Sequence, residues 1–288
     1  MLLDAETRQR LARLTLRARH RVRAARKGRH RSYHLGEGLD FADYREYAFG
    51  DDYRRIDHHL RARLGVTLVR LYETEEELPV RLVIDRSASM GFYGKLTTAR
   101  LAAAVVAYLG LAGGDRVLTY AVPGLRGAYD VGPTGRHVSA WPQIEDWLED
   151  LDAAGSGSLD AALPSIVGHR AGAGIVVLVG DLLEERWPQT ISGAGIAGGG
   201  LVLHVLAPEE LDPPLVGDVR LVDVETGRSV EAAATPTELA AYRDRVEAFV
   251  EEVAAHARRA GLVHRLVTSP DGVVDDVVRS LVERGAAR

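Results

Sequence analysis

The sequence contains no cysteine, and that one absence removes disulfides, zinc–thiolate sites, iron–sulfur clusters and thiol nucleophiles together. Lysine is nearly absent too. Of 36 basic residues only Lys27 and Lys95 are lysines, which is poor material for a catalytic amine. The longest apolar runs, such as Gly174–Gly180 and Leu101–Leu111, fall short of the roughly 18 residues that suggest a membrane span. Met1–Asp4 lacks the basic-then-apolar order of a signal peptide. No G-x-S-x-G elbow and no G-x-x-x-x-G-K-[ST] phosphate loop occurs, so nucleophilic-serine and P-loop chemistry have no signature. These absences lead to the expectation of a soluble, cytoplasmic protein.

What is present suits one large or two small globular domains: 288 residues, 46% hydrophobic, 27% charged. The net charge of −5 conceals an asymmetry. Residues 1–31 carry 11 basic against two acidic side chains, leaving 25 basic against 39 acidic in the remainder. Within this arm Thr7, Leu11, Leu14, Ala18, Val22 and Ala25 recur every three or four residues, drawing one apolar stripe on a helix. Such an arm could meet nucleic acid, an anionic membrane or an acidic partner, or pack on the body with its arginines solvated.

From Pro79 onward short apolar runs alternate with longer helical patterns. Val80–Asp85, Arg116–Val122, Gly174–Leu182, Leu201–Leu206 and Leu262–Val267 read as strands, and Leu96–Leu111, His137–Leu151, Leu159–Val167 and Gly272–Arg284 as helices. Turn residues within Gly124–Gly135, and Glu225–Thr226–Gly227 between Val219–Val224 and Ser229–Ala232, predict hairpins. Thr235–Pro236–Thr237–Glu238 combines an N-cap, a first-turn proline and a capping-box acid, opening a helix to about Arg259. The rhythm predicts an α/β fold with a doubly wound, mostly parallel sheet over residues 79–288. Residues 1–31 form the basic helical arm. Residues 32–78 do not share the rhythm and are expected to pack on the body. Gly193–Gly200 reads as a glycine-rich patch. Its G-x-G-x-x-G string lies about 11 residues beyond a strand, so it is not a dinucleotide fingerprint, which must follow a strand directly.

The most informative pattern is Asp85-Arg86-Ser87-Ala88-Ser89, D-x-S-x-S, at the end of the first strand of that rhythm. Ligands of open α/β sheets sit outside the carboxyl ends of strands, where strand order reverses. A carboxylate and two hydroxyls on alternate residues are hard oxygen donors suited to Mg²⁺ or Mn²⁺; the other reading is that Ser87 and Ser89 cap the following helix. Asp181 ends the strongest strand as Asp85 ends the first, and if those strands are neighbours the two carboxylates share a rim. Asp51, Asp52, Asp57, His58 and His59 form an acid-and-imidazole cluster. Adjacent histidines diverge on a strand, so a structural role with arginine pairing is favoured over zinc.

These features resemble a von Willebrand factor type A domain with a metal-ion-dependent adhesion site. The upstream text, Gly38-Leu-Asp-Phe-Ala-Asp-Tyr-Arg45, Gly50-Asp-Asp-Tyr-Arg-Arg-Ile-Asp57, Ala62-Arg63, Glu76–Glu77 and Asp85-Arg-Ser-Ala-Ser-Met90, resembles the bacterial family catalogued as "domain of unknown function 58". The resemblance implies a type A fold and a metal site at Asp85, Ser87, Ser89 and Asp181. It also implies a MoxR-type AAA+ ATPase partner and an adaptor role toward a client protein. Where that pattern expects a threonine ligand this chain has Gly157, and Ser158 or Ser156 would have to substitute. His58–His59 replace a usual tryptophan, and the membrane helices that many members carry before the signature are replaced by the basic arm. The leading expectation is a non-enzymatic interaction module. The competing ones are a metal-dependent phosphoesterase with Asp85 or His137 as base, and nucleic-acid binding through residues 1–31.

Overall fold

The structure is a computed structural model and describes residues 1–14, 40–48, 53, 56–73, 79–168 and 174–286. The rest of the basic arm, Asp51, Asp52 and Glu76–Glu77 lie outside the described residues. The chain divides into two compact units, residues 23–77 and residues 1–22 with 78–288.

The larger unit begins with a helix over residues 5–14 (α1). Six strands then build one sheet: Val80–Asp85 (β3), Val117–Val122 (β4), Asp130–Gly135 (β5), Ile175–Gly180 (β6), Gly200–Val205 (β7) and Leu262–Val267 (β10). Their order is β10-β7-β6-β3-β4-β5. All neighbours are parallel except β4 and β5, which pair as a hairpin. The doubly wound, mostly parallel sheet expected from the sequence is thus the observed one. Order reverses between β3 and β6, the switch point where a ligand crevice opens in such sheets.

The central strands are apolar on both faces because helices cover both. Lys95–Gly113 (α3), Trp141–Glu149 (α4) and Val273–Ala286 (α9) belong to one side, and Leu159–Val167 (α5), Trp187–Ile196 (α6) and Pro236–Arg259 (α8) to the other. Helix α3 is long and apolar enough to cross a membrane, which the run-length reading of the sequence did not anticipate. Some 72% of its apolar window is buried inside the protein, and it serves here as the central core helix. Between β7 and α8 come the short helix Pro208–Leu211 (α7) and the hairpin of Gly217–Val222 (β8) with Ser229–Ala234 (β9). The Thr235–Glu238 capping box forms as its sequence predicts.

The start of the basic arm is part of this unit's core. Leu3 and Leu11 are buried with α3, α4 and α9 side chains. The backbone N–H groups of Leu2 and Leu3 donate to Glu145 of α4, at 2.7 and 3.2 Å, and Arg10 pairs with Asp275 of α9.

The smaller unit holds Asp40–Glu46 (β1) antiparallel to Leu68–Glu73 (β2), with a bulge between Phe41 and Asp43, and the helix His58–Leu64 (α2). Asp57 is its N-cap, accepting from the N–H groups of His59 and Leu60, and it also accepts from the Tyr44 hydroxyl at 2.9 Å. His58 and His59 are exposed on the first turn of α2, so Asp57 acts structurally.

Candidate functional site at the sheet switch point

Strands β3 and β6 are neighbours, with Ile84 paired to Val179, so Asp85 and Asp181 emerge side by side at the carboxyl rim. The Asp85 carboxylate turns back on its own loop, its Oδ1 accepting from the Ser87 N–H at 2.8 Å. Room for it comes from the next strand. A Cβ on Gly180 would lie 2.5 Å from the Asp85 Cβ and 3.0 Å from its Oδ2. After Asp181 the chain turns sharply through Leu182, a buried non-glycine residue at φ 52, and this brings the Leu183 N–H to 3.2 Å from Asp181 Oδ1. A left-handed leucine is a strained conformation that surrounding structure must hold in place.

The hydroxyls form a directed chain. Ser89 donates to Asp181 Oδ2 at 2.7 Å. Its single proton is thereby used, so the 3.0 Å contact between Ser87 Oγ and Ser89 Oγ is donated by Ser87. The same Asp181 oxygen accepts from the Lys95 ammonium at 2.8 Å, and Lys95 also donates to Glu210 of α7 at 2.6 Å. Lys95 is 1% exposed. Burial works against its charge, but Asp181 and Glu210 hold its pKa above the ordinary lysine value. Glu210 is fixed in turn, its Oε2 accepting from the Ala207 N–H at 2.9 Å and its carbonyl from the Tyr242 hydroxyl at 2.7 Å.

Among the described residues no lysine or arginine forms an ion pair with Asp85. Burial, then the charge of Asp181, push its pKa up to about 7 against the opposing pull of the Ser87 hydrogen bonds. Behind Asp181 stands a histidine relay. The Asp181 carbonyl can only accept, so His204 Nε2 donates to it at 3.0 Å. Burial and then His264 depress the His204 pKa to about 3, so the ring is neutral. Its Nδ1 therefore accepts from His264 Nε2 at 3.2 Å.

Four of the five residues singled out from sequence, Asp85, Ser87, Ser89 and Asp181, meet at this rim. Ser158 is hydrogen-bonded outside this group of four: its hydroxyl donates to Glu184 at 2.8 Å, alongside Thr190, and the charge of Glu184 acts on Asp85. A threonine could not occupy position 157 on this backbone, because a Cβ there would fall 2.5 Å from the Pro123 Cβ. His137, a candidate base, is at the wrong end of the sheet. It follows Gly135, which pairs with Val117, whereas Asp85 pairs with Val122, about 16 Å further along the strand. Lys95, Glu210 and His204 are site residues that the sequence reading missed. The only advance signal was Lys95 itself, one of two lysines in an arginine-rich chain and ten residues after Asp85.

The donor set fits a hard divalent cation in one respect. Adjacent ligands of an octahedron with bonds of about 2.1 Å are about 3.0 Å apart, and the two serine oxygens are 3.0 Å apart. Among the described residues no three His, Asp or Glu side chains are grouped to hold a metal. A cation here would rest on Asp85, Ser87 and Ser89.

Among solved structures, an aerotolerance-related membrane protein from Bacteroides fragilis NCTC 9343 with multiple mutations to serines is 16% identical, with a TM-score of 0.45 over 72% of this chain and 99% of that one. A von Willebrand factor type A protein from Catenulispora acidiphila is 15% identical, with a TM-score of 0.46 over 76% of this chain and 45% of that one. Uncharacterized protein Rv1480 of Mycobacterium tuberculosis (strain ATCC 25618 / H37Rv) and uncharacterized protein Mb1516 of Mycobacterium bovis (strain ATCC BAA-935 / AF2122/97) are each 27% identical over 277 residues, covering 94% of this chain and 87% of theirs. The model of the family described as "Protein of unknown function DUF58" matches residues 43–259, well over half of the sequence, and the chain belongs to that family.

Proposed function

We propose that this chain is a non-enzymatic, cytoplasmic interaction module that docks a partner protein at the β3–β6 rim. The observation that carries this reading is the meeting of Asp85, Ser87, Ser89 and Asp181 at the switch point, with the two hydroxyls 3.0 Å apart. Asp85, Ser87 and Ser89 would hold Mg²⁺ or Mn²⁺, and such an ion supplies an electropositive point that a partner carboxylate can bind. The partner class suggested by the family resemblance is a MoxR-type AAA+ ATPase, with a client protein beyond it.

The rim's chemistry favours docking over hydrolysis. Its ammonium is committed to two carboxylates, and His137 is remote, so neither is placed to move a proton at Asp85. The test is affinity capture of the tagged protein from its native cells in Mg²⁺, in EDTA, and with Asp85→Ala. The expected outcome is an AAA+ ATPase recovered with Mg²⁺ and intact Asp85, and lost in the other two samples. Recovery in all three would remove the cation from the mechanism, and recovery in none would remove the ATPase.

A further inference from the structure

Lys95 is electrostatically misplaced for an ordinary helix residue. It is the first residue of α3, where the helix dipole favours anions, and it is buried. Its ammonium is a compact point charge, unlike the planar guanidinium this chain uses almost everywhere else. It touches Asp181 Oδ2, the same oxygen that accepts from Ser89. The other Asp181 oxygen takes the Leu183 N–H. Both oxygens of Asp181 are therefore engaged within the protein, while among the described residues Asp85 has no counter-cation of its own.

We infer that Lys95 is the rim's built-in cation: its ammonium occupies the charge position beside Asp181 that a second-strand carboxylate would otherwise offer to a divalent ion, and so it weakens metal binding at Asp85, Ser87 and Ser89. This rests on reading the rim as a cation site, but not on any partner. Lys95 is thus a specificity-determining residue, setting how much cation the rim requires to hold its shape. With the ammonium present, Ser89, Asp181 and Glu210 are held together in the absence of metal. Without it, two carboxylates close to the Ser87–Ser89 pair have no cation, and a divalent ion is the replacement their chemistry accepts.

The experiment compares the wild-type chain with Lys95→Met and with the double variant Lys95→Met/Glu210→Gln. The double variant removes one charge of each sign, so that Asp181 and Glu210 are not both left without the ammonium. Mn²⁺ affinity is read by electron paramagnetic resonance, and thermal unfolding is followed with and without Mn²⁺. The expected result is about tenfold or tighter Mn²⁺ binding in whichever variant folds, with a melting temperature that rises with Mn²⁺ more than that of the wild type. Unchanged or weaker Mn²⁺ binding in a folded variant would overturn the inference and make Lys95 a residue that merely positions Asp181. Absence of Mn²⁺ binding from all three proteins would also overturn it. Failure to capture an ATPase leaves these titrations unaffected, so the docking proposal and this one fall separately.

Discussion

At the scale of single residues, the rim is organised by which groups have a charge partner and which do not. Lys95 and Asp181 satisfy each other, whereas Asp85 and His204 are adjusted by burial. His204 supplies a measurable consequence. Its folded pKa of about 3 lies below the ordinary 6.5, so on acidification the unfolded chain takes up a proton that the native ring refuses. Its contribution is complete above about pH 6.5 and is lost as pH falls toward 3. Asp85 has the opposite sign, since its folded value of about 7 favours the native state as pH falls below 7. The two are separated by comparing wild type with His204→Gln. The stability gap between them should shrink by about 2 kcal/mol on going from pH 7.5 to pH 5, as read from urea unfolding at each pH. A gap independent of pH would mean that the ring titrates alike in the folded and unfolded chains.

At the scale of elements, the close approach of helices on the α5–α6–α8 side depends on glycine. Gly193 of α6 faces Leu163 of α5, where an added Cβ would lie at 3.1 Å. Gly195 faces the chain just after α8, where a Cβ would lie 2.4 Å from the Ala260 carbonyl oxygen. Gly195→Ala would force that contact apart and should destabilise by about 1–3 kcal/mol, measured as a lowered denaturation midpoint with an unchanged m-value. A neutral result would show that α6 and α8 can separate at no cost.

The same two glycines explain why α6 was not legible in the sequence. A helix whose second half is Gly-Ala-Gly lacks the propensity and the apolar period by which helices are read, and its existence is decided by packing. By contrast β3, β6, β7, β10 and α8 were legible almost to the residue. β6 is a continuous apolar run, the other three strands are mostly apolar with one or two polar residues each, and α8 opens on its own capping box. Of the site, Asp85, Ser87, Ser89 and Asp181 were visible because a strand end and a fixed spacing announce them. Lys95–Glu210 and His204–His264 were not, since each pair joins residues 60 or more positions apart that only the sheet order brings together. The pairing of Ser158 with Glu184, 26 positions apart, was hidden because it forms only where α5 packs against α6.

At the scale of the whole molecule, the strong charge asymmetry does not coincide with a structural boundary. Residues 1–14 carry part of the basic excess, yet Leu3 and Leu11 belong to the core beneath α3 and α4. Leu11→Ala should therefore cost about 2–5 kcal/mol, as for other fully buried leucines, and a calorimetric scan would show it as a lowered melting temperature. Little change would mean that the start of the chain only rests on the surface. It follows that nucleic-acid or membrane binding through the arm is better tested by replacing arginines within residues 17–31 than by deleting residues 1–31. The deletion would remove core and charge together.

The burial of Lys95 also turns the protein's scarcity of amines into an instrument. Acylating reagents have two lysine side chains to find in this chain, and one of them is sealed beneath the rim at 1% exposure. Modification of Lys95 can proceed only through excursions that part it from Asp181 and Glu210. The rate at which that single amine is tagged is therefore a clock for how often the β3–β6 rim opens.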